Sequence, residues 1–339
     1  MTDKLTRLSV YSLAHFLVDF CCALLVFRIV PRFHDAALLY LLYNYCAFAL
    51  QMPIGLAADK LNRNAIVAAS GCGLILLSFT LCAHPLTAAV VAGLGNACFH
   101  VGGGIDVLND SPKKAAMLGV YVSPGAAGLF FGTLLGKGDF PLLGGALLML
   151  ASLAAILLAA CRTGVLRSSH NAPLSFRGML SFDIVLPALC LFIVVIIRSF
   201  AGMTMSFDWK SIGSWGIASM LAVVLGKTTG GFVMDLLGAR LTSLLSLAAA
   251  AVLFFFADAP IEGVLAIFLF NMTMPVTLSC LTQRTPGCKG FSFGLLTFAL
   301  FLGFVPVGLS LVLASAPWLL AALCIFSALL MLPGAVNRT

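Results

Sequence analysis

The feature that most constrains this chain is a succession of apolar runs, each roughly 17–24 residues long, separated by short polar or Pro/Gly breaks. A helix of that length spans the hydrocarbon of a bilayer. Inside hydrocarbon every backbone amide needs an internal partner, so continuous runs are helices. The runs lack the alternation that a transmembrane β-barrel requires. Only 9% of the 339 residues are charged and 61% are hydrophobic, against about 25% charged in an ordinary soluble domain. A soluble core of this size could not bury that much apolar surface. The surrounding medium is therefore a lipid bilayer, and the expected fold class is all-α membrane protein.

The runs predict twelve transmembrane helices, over 8–28, 36–56, 65–83, 86–105, 115–136 and 140–161, then 183–203, 213–234, 241–257, 260–280, 290–313 and 316–334. The longest polar stretch, 162–181, divides six spans from six. This predicts an N-terminal bundle over 1–161, a cytoplasmic linker over 162–181 and a C-terminal bundle over 182–339.

The formal charge of +7 does not indicate nucleic-acid binding, because the basic residues are scattered through short loops without interleaved aromatics. They fit the positive-inside rule instead. With the N-terminus inside, only Arg28, Arg32, Lys137 and Lys210 fall in outer loops. The expected location is the cell's inner (plasma) membrane, multi-pass, with both termini cytoplasmic. Eleven cysteines occur without a CxxC, so neither a disulfide framework nor a zinc site is expected. The first run is long enough to span and carries His15 and Asp19, which sets it apart from a cleaved signal peptide.

The two halves repeat. Gly55-Leu-Ala-Ala-Asp59 follows the second span and Gly231-Phe-Val-Met-Asp235 follows the eighth, at an offset of 176. Asn96 matches Asn271, Gly119 matches Gly294 and Gly128 matches Gly303, each at 175. Four matches in order at nearly one offset predict two six-helix repeats of the same orientation. Such a pair rocks to expose a midplane site to each side in turn.

Two loops continue the repeat: Gly55-Leu-Ala-Ala-Asp59-Lys60-Leu-Asn62-Arg63 and Gly231-Phe-Val-Met-Asp235-Leu-Leu-Gly238-Ala-Arg240. A helical glycine permits close approach of a neighbouring backbone. Gly238, or Asn62 in its place, suits a left-handed turn. Each aspartate can pair with a loop arginine, Arg63 or Arg240, or with the positive N-terminus of a helix. A latch of this kind would hold one conformation of the rocker.

These loops resemble the G-x-x-x-D-x-x-G-R element of the major facilitator superfamily. Asn62 departs from its glycine, and the second copy lacks the basic residue after Asp235. A closer resemblance is to the fosmidomycin-resistance group of exporters in that superfamily. It is carried by His15-Phe-Leu-Val-Asp19-Phe20 in the first span, Phe99-His100 before Gly102, Gly103 and Gly104 in the fourth, and Arg198-Ser199-Phe200 in the seventh. The fifth span, with Gly119, Ser123, Pro124, Gly125 and Gly128, is similar to the antiporter element of facilitator exporters, Ser123 standing where a glycine is usual. The resemblance implies the twelve-helix facilitator fold and export.

A charged group near the bilayer centre costs about 2.5–3.5 kcal/mol on insertion scales, so each needs a partner or a wet cavity. His15 and Asp19, at i,i+4, share one helix face near mid-depth and are the candidate proton carriers. The alternative is a structural pair that fixes helix packing. Arg198 is the candidate for an anionic group of the substrate. In a facilitator fold, where the first and seventh helices border the cavity, Arg198 could instead face Asp19. Asn96, Asn271 and His100 are further candidates for substrate contact.

The function expected is secondary transport of a small organic molecule, anionic if Arg198 binds it, by proton-coupled export. Uptake of a metabolite would use the same parts. Divalent metal transport through His15 and Asp19 is a second class, but it needs His100 within reach of the first span, and its position near one end of the fourth argues against that. No H-E-x-x-H, G-x-S-x-G or P-loop is present, so neither an enzyme nor an ATP-driven pump is expected. The partners expected are a small-molecule substrate, protons and lipid. No resident cofactor or metal is expected, and the chain is read as a monomer.

Overall fold

The computed structural model describes residues 2–138, 140–164, 171–176, 181–312 and 314–335. Parts of the expected linker, with Arg167 and Arg177, lie outside the described residues, as does Arg338. The described residues are helical with no strand. They form twelve principal helices, numbered here in chain order. These are α1 Thr2–Ile29, α2 Ala36–Leu61, α3 Asn64–Thr80, α4 Pro85–Asp110, α5 Ala116–Lys137 and α6 Leu142–Thr163. The remainder are α7 Phe182–Thr204, α8 Trp215–Leu237, α9 Ala239–Phe254, α10 Pro260–Arg284, α11 Lys289–Gly308 and α12 Pro317–Gly334. Ten are long and apolar enough to cross a membrane, while α3 and α9 are shorter.

The helices run past the apolar runs that predicted them. α1 begins at Thr2 and α4 continues to Asp110, because side chains that pair with one another keep these polar ends helical. Three spans are interrupted. α2 carries a π-turn at Tyr45–Ala49. α5 breaks at Ser123, since Pro124 has no N–H to continue the ladder. α10 breaks at Met272, three residues before Pro275, whose ring would collide with the carbonyl four residues back.

The chain divides into two compact units, Met1–Pro112 with Pro124–Ser175 and Pro286–Phe298, and Lys113–Ser123 with Phe176–Thr285 and Ala299–Thr339. The division differs from the 1–161 and 182–339 bundles in two places. The first turns of α5 group with the second unit, and the first half of α11 groups with the first.

In the first unit α1 packs against α4, α6 and the Pro124–Lys137 piece of α5. The α5 contact depends on a glycine stripe. A Cβ at Gly128 would strike the Phe16 carbonyl, one at Gly132 the Phe20 carbonyl, and one at Gly136 the Leu24 carbonyl, at 2.8 Å. Without side chains the two backbones close to van der Waals distance, which replaces the hydrophobic drive that lipid does not supply. In the second unit α8 packs on α10 and on the Ala116–Val122 piece of α5, while α12 packs on α7 and α9.

Gly128→Leu is expected to cost about 1–3 kcal/mol or more through overpacking and to lower the detergent melting temperature clearly. Gly73→Ala, where an added Cβ meets nothing within 4 Å, should leave it unchanged or slightly raised. Equal melting temperatures for the two variants would contradict the stripe's role.

Candidate functional site

α1 and α4 run antiparallel, and their facing surfaces form a polar seam. Arg7 makes a two-pronged pair with Asp110, at 2.9 and 2.5 Å. One turn on, the Tyr11 hydroxyl donates to Asp106 at 2.8 Å. The next turn brings His15 Nε2 to 2.8 Å from His100 Nε2. Then Asn96 Nδ2 donates to Asp19 Oδ1 at 3.0 Å. The α1 members 7, 11, 15 and 19 are spaced by four, so they lie in one row on the helix face. A periodic polar row inside an apolar helix requires a matching row opposite, and α4 supplies it.

The seam's deep end is a compact cluster. Asp19 Oδ2 lies 3.4 Å from His15 Nε2, and Asp19 Oδ1 lies 3.5 Å from His100 Nε2. The imidazoles meet edge to face, with centroids 4.4 Å apart, beside the Phe99 ring. His100 Nδ1 is 2.8 Å from the Asn96 carbonyl. A carbonyl only accepts, so Nδ1 carries a hydrogen, and in the neutral ring Nε2 is then an acceptor. His15 Nε2 is the donor across the 2.8 Å contact in that state. Gly125 of α5 closes the cluster, since a Cβ there would strike Asp19 Oδ2 and His15 Nε2. The side chains of His15, His100 and Asp19 are 6%, 11% and 20% exposed, so the carboxylate is the most exposed of the three.

His100 therefore belongs with His15 and Asp19, and the expectation that its position keeps it from the first span is overturned. The reason is the length of α4. Ten residues follow His100 before the helix ends at Asp110, about 15 Å of rise, so it is a mid-span residue. Asn96 also turns toward Asp19. The three groups His15, Asp19 and His100 present donor atoms all within 4.8 Å of one another and are the described residues that could hold a metal ion.

Asn271, the repeat partner of Asn96, is used differently, since its Nδ2 donates to the Ile267 carbonyl one turn back at 2.8 Å. Arg198 lies in α7, in the second unit. Among the described residues it has no ion pair, and its Nη1 is buried with no hydrogen-bond partner. A buried guanidinium N–H without an acceptor carries a desolvation cost.

The loop aspartates both choose helix N-termini. Asp59 accepts from the N–H groups of Gly290 and Phe291 at 2.8 and 2.9 Å, at the start of α11. Asp235 accepts from those of Ala115 and Ala116 at 2.7 and 3.1 Å, at the start of α5. Each carboxylate satisfies orphan donors at the positive end of a helix dipole. The glycines bring the backbones in, as a Cβ at Gly55 would strike the Gly290 carbonyl, and one at Gly231 would approach that of Ala115 to 2.5 Å. Gly119 meets the Lys227 carbonyl in the same way, at 2.8 Å. Asn62 takes the left-handed conformation, φ 53°, and Gly238 has φ 82°. Arg240 turns to the Leu332 carbonyl near the end of α12, at 2.9 Å, and Arg63 serves through its backbone, where its carbonyl accepts the first bonds of α3.

The sequence reading missed a clasp around Asn171. Its N–H donates to Asn62 Oδ1 at 2.9 Å, its Nδ2 to the Ala58 carbonyl at 3.2 Å, and its Oδ1 accepts from Asn64 and Asn109 at 2.7 and 2.9 Å. Asn64 in turn donates to Asp106 at 2.8 Å. No spacing in the sequence announces this network, whereas the four-residue row on α1 was there to be read.

The fold is that of the major facilitator transporters. Two solved structures of the Escherichia coli protein FucP match it end to end. One, described as a major facilitator superfamily transporter in the outward conformation, superposes with a TM-score of 0.70 at 12% identity, covering 99% of this chain and 100% of that one. The other, a single-site variant described as a fucose:proton symporter, gives a TM-score of 0.66 at 12% identity, with 97% and 98% covered. No family model and no curated protein matches the sequence.

Asp59→Ala is expected to raise hydrogen exchange at the Gly290 and Phe291 amides by about fivefold, since a lost cap of this kind is worth about 1 kcal/mol. The amides at the start of α12 serve as the internal reference. Unchanged exchange at Gly290 and Phe291 would show that the carboxylate does not hold α11.

Proposed function

We propose that this protein is a secondary active transporter that exports a small anionic organic molecule by alternating access, driven by protons. The observation that carries the reading is the His15–Asp19–His100 cluster, three ionisable groups gathered mid-span in a fold used for transport. Ionisable groups inside a membrane span are expensive to insert and, as a rule, mark ion or substrate pathways. Protons ride on Asp19 with His15. The fold supports this reading, and so does FucP, described as a proton symporter.

Arg198 supplies the substrate class. Its buried Nη1 suits a carboxylate or phosphate oxygen, and its planar fork favours two-point contact. Asp59 and Asp235 act as reciprocal latches, holding the helix starts of α11 and α5 in one conformation and releasing them in the other. In this reading the chain comprises two six-helix bundles, 1–161 and 182–339, joined by the 162–181 linker. It works as a monomer in the inner membrane with both termini in the cytoplasm. Export is favoured by the Gly119–Gly128 element of α5 and the likeness to fosmidomycin-resistance exporters. Uptake is the second reading, favoured by the description of FucP as a symporter.

The test is pH-dye flux in proteoliposomes against a panel of organic anions, cations and neutral compounds. Anions should drive proton movement. Arg198→Ala should reduce that flux about ten- to a hundredfold, the value of a charge-assisted hydrogen bond of about 1.5–3 kcal/mol, and Arg198→Lys should retain part of it. Flux confined to cations or neutral compounds, or an Arg198→Ala protein as active as the parent on anions, would refute the substrate assignment.

A further inference from the structure

We infer that the His15–Asp19–His100 cluster is also a binding site for a divalent transition-metal ion of the zinc or cobalt type. The inference concerns the same cluster as the proposed function but does not depend on the transport reading.

The donors stand close to metal-ligand spacing. Four ligands at the 2.0–2.1 Å bond lengths usual for zinc stand about 3.3–3.4 Å apart along the tetrahedron's edges. Each Asp19 oxygen stands at about that distance from one imidazole, Oδ2 3.4 Å from His15 Nε2 and Oδ1 3.5 Å from His100 Nε2. With one ligand atom from each residue the three donors lie within 4.8 Å of one another, so a small rotation of the carboxylate completes the set. The His15–His100 edge, at 2.8 Å, is shorter because a hydrogen bond occupies it. On metal binding it must open by about half an ångström, and the neutral His15 ring must carry its hydrogen on Nδ1 so that Nε2 presents a lone pair. The tautomer of His100 needs no such change. His100 Nδ1 faces the Asn96 carbonyl at 2.8 Å, which holds the hydrogen on that nitrogen and turns the Nε2 lone pair inward. A ligating histidine is held in the same way, with its other N–H on a carbonyl or carboxylate.

Asn96 offers a fourth donor. Its residue is 2% exposed, its Nδ2 donates to Asp19, and its Oδ1 is buried with no partner. Turned over, the amide would set Oδ1 about 3 Å from Asp19 Oδ1, two oxygens in contact, which is favourable only with a cation between them. The amide is therefore positioned to donate to Asp19 in the empty site and to offer its oxygen as a fourth ligand in the filled one. Two imidazoles, one carboxylate and one amide oxygen form a set in which imidazole selects zinc, cobalt, nickel or copper over magnesium and calcium. The partly exposed Asp19 provides the approach. The chain has five histidines; His34 and His84 are exposed and serve as controls.

Purified full-length protein, stripped with chelator, is titrated with cobalt(II) and the visible d–d absorption followed. One cobalt per chain is expected, with the strong absorption of a four-coordinate nitrogen–oxygen site, abolished by one equivalent of zinc. His100→Ala and His15→Ala should each weaken cobalt binding at least tenfold, while the His34→Ala/His84→Ala double variant binds as the parent does. Gly125→Ala keeps every donor but pushes a methyl group into two of them, and it should weaken binding too. Absence of the absorption in the parent protein would overturn the site regardless of how the variants fold. Retention of parental affinity in both single histidine variants would overturn it as well. Bound cobalt without any proton-driven flux would sink the transport reading and leave this one standing; flux without cobalt binding would do the reverse.

Discussion

A carboxylate placed mid-span in a membrane helix is costly unless polar groups hold it, and the packing around Asp19 meets that demand. Asp19 is surrounded by Asn96, His15 and His100, each within hydrogen-bonding or ion-pair reach. For α4 to present two of those groups it must lie close along α1. For α5 to cover the cluster it must offer a glycine at 125 and again at 128, 132 and 136. The polar cluster thus dictates the small-residue packing around it. The same demand explains why the seam continues outward as Tyr11–Asp106 and Arg7–Asp110, since each further polar group on α1 needs its own partner in turn.

A second constraint acts at the helix ends. The first N–H groups of a helix have no partner within it, and at α5 and α11 the missing acceptors come from aspartates far away in sequence. Asp59 and Asp235 are 176 residues apart, and the helices they cap begin at corresponding places in the two halves. This reciprocity explains why the compact units do not coincide with the chain's halves. The start of α11 belongs with the first unit because Asp59 holds it, and the start of α5 with the second because Asp235 holds it. Each hydrogen-bonded cap of this kind is worth about 1 kcal/mol.

Much of this was legible in the sequence. Apolar run length gives the twelve helices, ten of them long enough to cross a bilayer, and the 175–176 offset points to the repeat. His15 and Asp19 stand out as the only such pair on one helix face in the first span. What could not be read was anything set by the depth of one helix against another. His100 looked terminal because the apolar run ends near residue 105, while the paired side chains carry α4 on to Asp110. Asn96 and Asn271 looked equivalent by position, yet one meets a carboxylate and the other its own backbone. Asn171 sits in a polar linker with no periodicity at all, and only the folded chain shows it clasping the end of α2.

The central claim is that Asp19 carries the coupling ion, and coupling is separable from passage. Counterflow exchange of labelled substrate across proteoliposomes, with and without an imposed pH gradient, reads the two independently. An Asp19→Asn protein should keep exchange near the parental rate and lose accumulation driven by the gradient. Accumulation that persists in Asp19→Asn would contradict the account.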